Sequence, residues 1–476
     1  MNKITLLLVF TFLSVLTYGQ TYYVGAKTPD TNQPKGSEAN PFPSLDGAIK
    51  YDEDNPVASP DLKLTIYIDG EVSHSTDSKE IIPHRNMYII GKNNGVLQGS
   101  GSVEKLNHSI FKISALDKDN LLEDIVLKLK DLTVEDMYNE DSAGTVINLN
   151  TRKAKGISIE LENCIFKNNV AIEKPGSVVS ITGPTDNAYS LKIKKCYFEG
   201  AGPNYVSSNG GSIYISNPTT DVFIENSTFR KFYTSDKGGA ICIDKAKSFK
   251  GVNLTVAGNE CASDNDDVNS AGIQIISVNG ANLLQNSIVV GNSMPEASKN
   301  TNLISGSSIN TQNCLIDNYD SVGQLSIKGF AFDATKNVYK YENGSMPVKT
   351  GDASFLSEDL DQIGNVRKKS EVMAVDIGAW HSNHSTKGGG VLSIGALEVS
   401  NTSIKVYQDN AGNVVVEAPE TNEVTATVYS IVGSKILEVQ IVNEIGVIKT
   451  DVLNSGVYVL ELNADGNKIA KQFIIE

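Results

Sequence analysis

The chain has 476 residues, which is long enough for two or three domains, and a formal net charge of −15. So acidic a chain lacks the clustered Lys and Arg that phosphate contacts require, which excludes a nucleic-acid-binding protein. Five Cys are too few for a scaffold held together by disulfide bonds, and their odd number leaves at least one thiol unpaired within the chain.

The first predicted element is a signal peptide. Residues 1–19 (MNKITLLLVFTFLSVLTYG) begin with a Lys at position 3 and continue into an apolar run shorter than a comfortable membrane span. The small-residue end of this run predicts cleavage between Gly19 and Gln20. No later stretch has the apolar length of a transmembrane helix, so we expect an exported chain with no transmembrane segment.

The middle of the chain repeats itself. One line of sequence, about nine residues long, recurs seven times, for example as LENCIFKNN and IENSTFRKF. Its last apolar residue returns every 27–33 residues. A second line, such as GGAICID, follows the earlier copies. Both are short, rich in β-branched and aromatic residues and bounded by Gly, Asn and Ser, which predicts strands. The absence of crossover helices argues against a doubly wound sheet, and the variable spacing favours a solenoid over a four-stranded propeller blade. The apolar anchors are Val134, Phe166, Phe198, Phe229, Val256, Val289 and Ile316.

One column of the aligned repeats predicts a tight corner. Five of its seven residues are Asn, which tolerates a left-handed backbone and can hydrogen-bond from one repeat to the next. We call this set the corner column. It consists of Asp131, Asn163, Lys195, Asn226, Asn253, Asn286 and Asn313.

Two neighbouring columns predict how the repeats stack. Lys130, Glu162, Lys194 and Glu225 alternate in sign on four successive outward positions, which indicates stabilising charge pairs between strands rather than an active site. The column after the corner is small or apolar and is predicted to face inward. It contains a Cys in two consecutive repeats, at 164 and 196, and we expect buried thiols there, with a disulfide as the alternative.

These lines resemble the rungs of right-handed parallel β-helix proteins with the pectate-lyase-like architecture. The segment TYYVGAKTPDTNQPKGSEANPFPSLDGAIK (21–50) is similar to the strand, loop and capping helix that open such proteins. The resemblance implies a parallel β-helix over residues 20–400 with an N-terminal cap.

A second resemblance lies near the end of this region. DLDQIGNVRKKSEVMAVDIGAW resembles the closing motif of bacterial surface β-helices and implies a C-terminal closure over about residues 331–400. His381 stands where the family has Glu, and a second half-copy, SIGALE, supplies that residue as Glu398. The matching residues are Asp361, Gly364, Arg367 and Asp376 to Ala379.

Composition changes in residues 401–476, where six or seven alternating strands with tight turns predict a small antiparallel, Ig-like β-sandwich. This region resembles the C-terminal sorting domain of the type IX secretion system; an ordinary Ig-like accessory module is the alternative. The resemblance implies the secretion machinery as a partner and export through the periplasm to the surface of a Gram-negative bacterium. The motif residues are Tyr429, Gly433, Gly456, Tyr458, Lys471 and Phe473.

Few residues suggest chemistry. Asp264, Asp266 and Asp267 could offer hard oxygen ligands to Ca²⁺, although the loop lacks the Gly and distal Glu of an EF-hand and a solvated turn is the alternative. His381 and His384 are too few for a closed zinc site and indicate a polar loop. No phosphate-binding loop, nucleophile elbow or metalloprotease helix motif occurs, so no catalytic residue and no other cofactor is assigned.

The leading prediction is therefore a non-catalytic, secreted or surface-displayed β-helix that binds a glycan or a host or surface protein along the solenoid, as a monomer. Insertions such as RKFYTSD (230–236) are expected to meet the ligand. The alternative is a polysaccharide lyase or hydrolase that acts on acidic glycans. An Arg or Lys beside two or more carboxylates in one cleft would favour the enzyme.

Overall fold

A computed structural model of the chain contains two compact units, Met1–Ser382 and Asn383–Glu476. Almost all regular secondary structure of the described part is strand, and none of its helices is long and apolar enough to cross a membrane. The structure describes residues 19–56, 63–101, 106–113, 124–150, 156–183, 188–263, 269–294, 302–316, 330–341, 351–357, 360–365, 374–380, 405–408, 414–417, 424–430, 434–441, 445–449, 456–464 and 467–475.

The predicted N-terminal helix is present as α1 (Leu45–Asp54). Ser44 caps its first turn, since the Ser44 Oγ accepts a hydrogen bond from Gly47 N at 3.2 Å. The apolar face of α1 joins the core of the first unit. A buried ion pair holds the other end, where Arg85 Nε lies 3.0 Å from Asp52 Oδ2. The helix therefore covers the first strands, as a cap would.

The largest sheet consists of two stacks of parallel strands. Stack A contains the longer strand of each repeat, and stack B contains the short strand that follows the corner. The strands of stack A are β1 (Thr21–Gly25), β2 (Leu64–Ser73), β3 (Met87–Gln98), β5 (Ile125–Lys130), β9 (Gly156–Glu162), β13 (Ala188–Lys194), β17 (Thr220–Glu225), β21 (Ser248–Val252), β25 (Asn282–Gln285) and β28 (Asn310–Gln312). The strands of stack B are β6 (Thr133–Glu135), β10 (Ile165–Lys167), β14 (Tyr197–Glu199), β18 (Thr228–Arg230), β22 (Thr255–Ala257), β26 (Ile288–Val290) and β29 (Leu315–Ile316). Strand β3 pairs with both β5 and β6 and so joins the two stacks.

The second line of each repeat forms a separate parallel sheet, which we call stack C. Its strands are β4 (Phe111–Ile113), β8 (Ile147–Leu149), β12 (Val179–Ile181), β16 (Ile213–Ser216), β20 (Ile241–Ala246), β24 (Ile273–Val278) and β27 (Leu303–Ser305). Shorter parallel strands lie between stacks B and C along the chain. They are β7 (Tyr138–Asn139), β11 (Val170–Ala171), β15 (Ser207–Asn209), β19 (Tyr233–Lys237) and β23 (Glu260–Cys261).

The predicted register of the repeats is confirmed. Phe166, Phe198 and Phe229 pair directly on neighbouring strands of stack B, and all three are fully buried. Their rings stack, with centroids 4.9 and 4.6 Å apart. One core runs through the repeats, because inward residues of stacks A, B and C belong to the same apolar cluster. The first unit is thus an all-β structure of large parallel sheets, consistent with the predicted solenoid.

The predicted corner is also confirmed. All seven residues of the corner column have a left-handed backbone, with φ between 48° and 53°. Such φ values are costly for most side chains but tolerated by Asn, which explains the composition of the column. Asn163 Nδ2 donates to Asp131 Oδ1 at 2.7 Å, and Asn286 Nδ2 to Asn253 Oδ1 at 3.4 Å. The side chains therefore link successive repeats as expected.

The outward charges pair between repeats as predicted. Lys130 Nζ lies 2.8 Å from Glu162 Oε1, and Lys194 Nζ lies 3.7 Å from Glu225 Oε2. Lys128 also approaches Glu162, at 2.5 Å. Partial burial raises the pKa of Glu162, but the bonds from the two lysines outweigh this and lower its pKa to about 2.

The inward column contains the expected thiols. Cys164 and Cys196 are buried and free, as are Cys242 and Cys261, while Cys314 is free and half-buried. Burial raises the pKa of Cys196 well above its usual range, so this thiol stays protonated and unreactive. The structure contains no disulfide bond between these five cysteines.

After the last repeat, the chain returns along the outer side of stacks A and B. We call the described residues 330–341, 351–357, 360–365 and 374–380 the strap. It contains the antiparallel pairs β30 (Ala331–Asp333) with β31 (Val338–Lys340) and β32 (Gly351–Asp352) with β33 (Ala374–Val375), and a 3-10 turn at Ala353–Phe355. The outward residues Ile288 and Val290 of stack B are apolar, and the strap buries them beneath Tyr341 and Ile377.

The second unit consists of two antiparallel sheets with a shared apolar core. One sheet contains β34 (Lys405–Gln408), β35 (Val414–Glu417) and β38 (Ile445–Ile448). The other contains β36 (Val424–Ser430), β37 (Lys435–Ile441), β39 (Gly456–Ala464) and β40 (Asn467–Ile475). Val416 from the first sheet and Leu460 from the second both belong to the core, so the predicted antiparallel strands pack face to face.

Candidate functional site

The corner column has two different environments along the stack. In its later repeats, three asparagines bind the backbone of the strap. Asn226 Nδ2 donates to Leu360 O at 2.8 Å, and Asn253 Nδ2 donates to Asp376 O at 3.2 Å. The Asn286 side chain makes two hydrogen bonds to the backbone of Asp352. Its Nδ2 donates to Asp352 O at 2.8 Å, and its Oδ1 accepts from Asp352 N at 2.9 Å. The column therefore acts as a row of hydrogen-bonding groups for an extended chain.

The motif residues near position 361 hold the strap in place. Asp361 is fully buried and its Oδ1 accepts bonds from Ile363 N at 3.0 Å and Asn365 N at 2.7 Å, which closes a tight turn. The next residue, Gln362, receives a bond from Thr228 Oγ1 at 2.6 Å. We therefore assign these residues to attaching the strap along the side of the stack.

The earlier repeats of the corner column line a groove instead. This corner groove encloses about 420 Å³ between the outer side of the repeats and the edge of the strap. Its volume lies in the range of ligand-binding clefts. The lining residues are Gly91, Asn94, Gly95, Asp131, Leu132, Thr133, Asn163, Cys164, Ile165, Lys195, Tyr197, Lys336, Asn337, Gln362 and Ile363.

The walls of the groove mix polar and apolar residues and differ in origin. Lys195 comes from the corner column and Lys336 from the strap, so each wall contributes one cation. Among the described lining residues, Asp131 is the single carboxylate, and Asn163 donates to it. The repeat pattern predicted the corner residues of the stack-side wall, but as a structural corner and not as a binding site. It missed Lys336 and Gln362, because the strap lies outside the repeats.

A charged cluster borders the groove on stack B. Tyr197 OH donates to Glu199 Oε2 at 2.5 Å, and Lys231 Nζ donates to Glu199 Oε1 at 2.8 Å. Burial, then the Glu199 carboxylate, raises the pKa of Tyr197, so the phenol remains protonated. Arg230 stacks on the Phe332 ring, 3.5 Å from its centroid. In this cluster the cations Lys231 and Arg230 act on one carboxylate, that of Glu199.

The arrangement that would favour an enzyme occurs elsewhere. Lys128 lies 3.5 Å from Glu160 and 2.5 Å from Glu162, so it stands beside two carboxylates. These residues belong to the outer face of stack A, and none of them lines the corner groove. Within the described part of the groove, no Lys or Arg faces two carboxylates.

The other predicted site residues have the following positions. Gln20 Oε1 accepts a bond from Arg85 Nη2 at 2.8 Å, and Gly19 precedes it beside Lys63. The residues of the calcium prediction, Asp264, Asp266 and Asp267, and the pair His381 and His384 lie outside the described residues. In the described part of the chain, no group of three or more His, Cys, Asp or Glu side chains is arranged to hold a metal ion.

The predicted ligand-contacting insertion 230–236 is largely part of the stacked structure. Its second half enters strand β19, which pairs in parallel with β15 and β23. The groove lies instead between the corner column and the strap, so the insertion does not line it.

Most of the sorting-motif residues occupy the four-stranded sheet of the second unit. Tyr458 on β39 pairs with Phe473 on β40, and Lys471 on β40 pairs with Leu460. Gly456 begins β39, and Tyr429 lies on the neighbouring β36. The remaining motif residue, Gly433, lies outside the described residues.

Comparison with known families gives a match at the C-terminal end of the chain. Residues 397–476 match the family described as "Secretion system C-terminal sorting domain". No curated protein and no solved structure matches the chain. The match covers the region that the motif residues of the second unit had indicated. The chain therefore carries a C-terminal sorting domain, which supports export by the type IX secretion system to the cell surface or the extracellular space.

Proposed function

We propose that this protein is a surface-displayed or secreted, right-handed parallel β-helix that binds an acidic glycan in the corner groove and does not cleave it. In this proposal residues 1–19 are a signal peptide, residues 20–400 form the β-helix with its cap and closure, and residues 401–476 form an Ig-like sorting domain. The route passes through the periplasm, and the mature protein acts as a monomer.

The observation that carries the proposal is the division of the corner column. Three of its asparagines use their amides to bind an extended polypeptide, the strap. The same column continues into the groove as Asp131, Asn163 and Lys195. An acidic glycan offers hydroxyl and carboxylate groups along an extended chain, so equivalent side chains could bind it in the groove.

The charge of the groove supports an acidic ligand. Lys195 and Lys336 stand on opposite walls, and Asp131, the single carboxylate among the described lining residues, already accepts a bond from Asn163. The described lining carries two Lys and one Asp, whereas the whole chain has a net charge of −15. Uronate carboxylates would form charge-assisted hydrogen bonds with them.

Binding of defined oligouronates and matched neutral oligosaccharides, measured by calorimetry on the full chain, tests the proposal. We expect K195A and K336A each to weaken oligouronate binding about tenfold, the effect of one charge-assisted hydrogen bond. The control is K192A, which removes an exposed lysine from the outer face of stack A. Equal affinity in all variants would contradict the proposal, and an unsaturated uronate product in the ultraviolet spectrum would indicate a lyase instead.

A further inference from the structure

Two imidazole rings with unused polar atoms pack together near the N-terminal cap, away from the corner groove. His74 follows strand β2 directly, His108 lies shortly before β4, and Asp46 belongs to the first turn of α1. His74 is only 1% exposed, and the two imidazole ring centroids are 5.7 Å apart at an interplanar angle of 67°. The Asp46 carboxylate acts electrostatically on both rings.

One polar atom of each of these three side chains lacks a hydrogen-bond partner. His74 Nε2, His108 Nε2 and Asp46 Oδ1 are all buried, and no described group bonds to any of them. Burying a polar atom without a partner is unfavourable, so three such atoms near one another point to a missing ligand.

The tautomer of one ring indicates the kind of ligand. His108 Nδ1 lies 2.7 Å from Asn107 Oδ1, an oxygen that can only accept a hydrogen bond. The ring therefore donates through Nδ1, which leaves a lone pair on Nε2. Neutral imidazoles with the second nitrogen hydrogen-bonded are typical metal ligands.

We propose that His74 and His108 bind a divalent late first-row transition metal ion through their Nε2 atoms, and that Asp46 balances its charge. Metal–nitrogen bonds of about 2.0–2.1 Å place the centroids of two ligating imidazoles about 5–6 Å apart, which agrees with the observed separation. The described residues supply no group of three close ligands, so the two imidazoles are the protein ligands and other donors complete the coordination. Nitrogen ligands select Zn²⁺, Cu²⁺ or Ni²⁺ over Ca²⁺ and Mg²⁺.

The ion would connect three segments that are distant in sequence: the end of β2, the first turn of α1 and the approach to β4. Because a metal that binds only the folded state stabilises it by mass action, the cap should become more stable in its presence. This role is independent of glycan binding in the corner groove.

Thermal unfolding of the metal-free full chain with Zn²⁺, Cu²⁺, Ni²⁺, Ca²⁺ or Mg²⁺ tests the site. We expect the transition-metal ions to raise the Tm reversibly with EDTA, and Ca²⁺ and Mg²⁺ to leave it unchanged. The H74N/H108N variant should lose the shift, while H381N/H384N, the matched control for the other histidine pair, should keep it. A shift that disappears only in H381N/H384N would overturn the assignment.

Electron paramagnetic resonance with one equivalent of Cu²⁺ keeps the test decisive if H74N/H108N does not fold. In H381N/H384N we expect hyperfine coupling to two imidazole nitrogens, and in D46N the same coupling with about tenfold weaker binding. A spectrum of Cu²⁺ bound to one imidazole or none in H381N/H384N would contradict the proposal.

Discussion

Ser357 donates two hydrogen bonds to the carboxylate of Glu225, one from its hydroxyl and one from its backbone N at 2.7 Å. Glu225 ends the column of alternating charges on stack A, yet its side chain is 0% exposed because the strap covers it. The carboxylate remains satisfied, since Lys194 Nζ lies 3.7 Å away and Ser357 supplies the additional donors. One residue thus links the repeats to each other and to the strap.

Replacement of Glu225 should be costly because it leaves Lys194 without its buried partner and Ser357 N without an acceptor. We expect E225A to lower the free energy of unfolding by about 3 kcal/mol, the loss typical of a broken buried ion pair. E225Q, which keeps an acceptor, should cost less, and S357A only about 1 kcal/mol. Urea unfolding measures all three. If E225A is no less stable than S357A, the carboxylate does not anchor the strap.

Asn286 should hold the strap through its side chain as well as shape the corner. N286G keeps access to the left-handed backbone but removes both amide bonds to Asp352, so the Asp352 amide should exchange with solvent faster. N286A adds the cost of a left-handed Ala, about 1 kcal/mol. Hydrogen exchange separates the two effects. Unchanged protection of Asp352 N in N286G would show that the strap is held elsewhere.

The low pKa of Glu162 predicts how the stability of the fold changes in acid. Its pKa is about 2 in the folded chain against an ordinary value of 4.5, so its contribution to stability is present above about pH 4.5 and is lost as the pH falls towards 2. In K128M/K130M the opposing effect of burial remains, and the pKa should rise above 4.5. Carboxyl titration by NMR measures it. A pKa that stays near 2 in this variant would mean that the lysines do not lower it.

The sorting domain gives a prediction for export. Deletion of residues 402–476 should trap the protein in the periplasm, because the region that matches the sorting-domain family is lost. Fractionation of the producing bacterium with antibodies against the first unit measures this. A reporter fused to residues 397–476 is the positive control and should be exported. Display of the truncated protein on the cell surface at the normal level would contradict the proposed route.

Much of the first unit was predictable because its signals recur. The recurrence of Phe166, Phe198 and Phe229 predicts the register in which their strands pair. The recurrence of Asn at the corner predicts its left-handed backbone. The strap was not predictable, since a contact such as Thr228 with Gln362 joins residues 134 positions apart and has no periodicity. The stack-side wall of the corner groove consists of repeat residues, whose positions the repeat pattern predicts. The strap-side wall consists of residues with no periodic signal.

The sequence did not predict the proposed metal site of His74 and His108 for a related reason. His74 and His108 are 34 residues apart, and Asp46 precedes both, so no short motif joins them. The fold places the two imidazole rings side by side, and α1 brings the Asp46 carboxylate into electrostatic range of His74. Searches for ligand spacing can find sites within one helix or loop, whereas this site depends on three separate elements.

The alternation of Lys130, Glu162, Lys194 and Glu225 has a consequence for how such a chain can grow or shrink in evolution. Each charge sits directly opposite its neighbours of other sign. Loss of the single repeat that contains Glu162 would bring Lys130 opposite Lys194, and like charges in that position are destabilising. Loss or duplication of two consecutive repeats would preserve the alternation. Recombination should therefore change the length of this region by pairs of repeats.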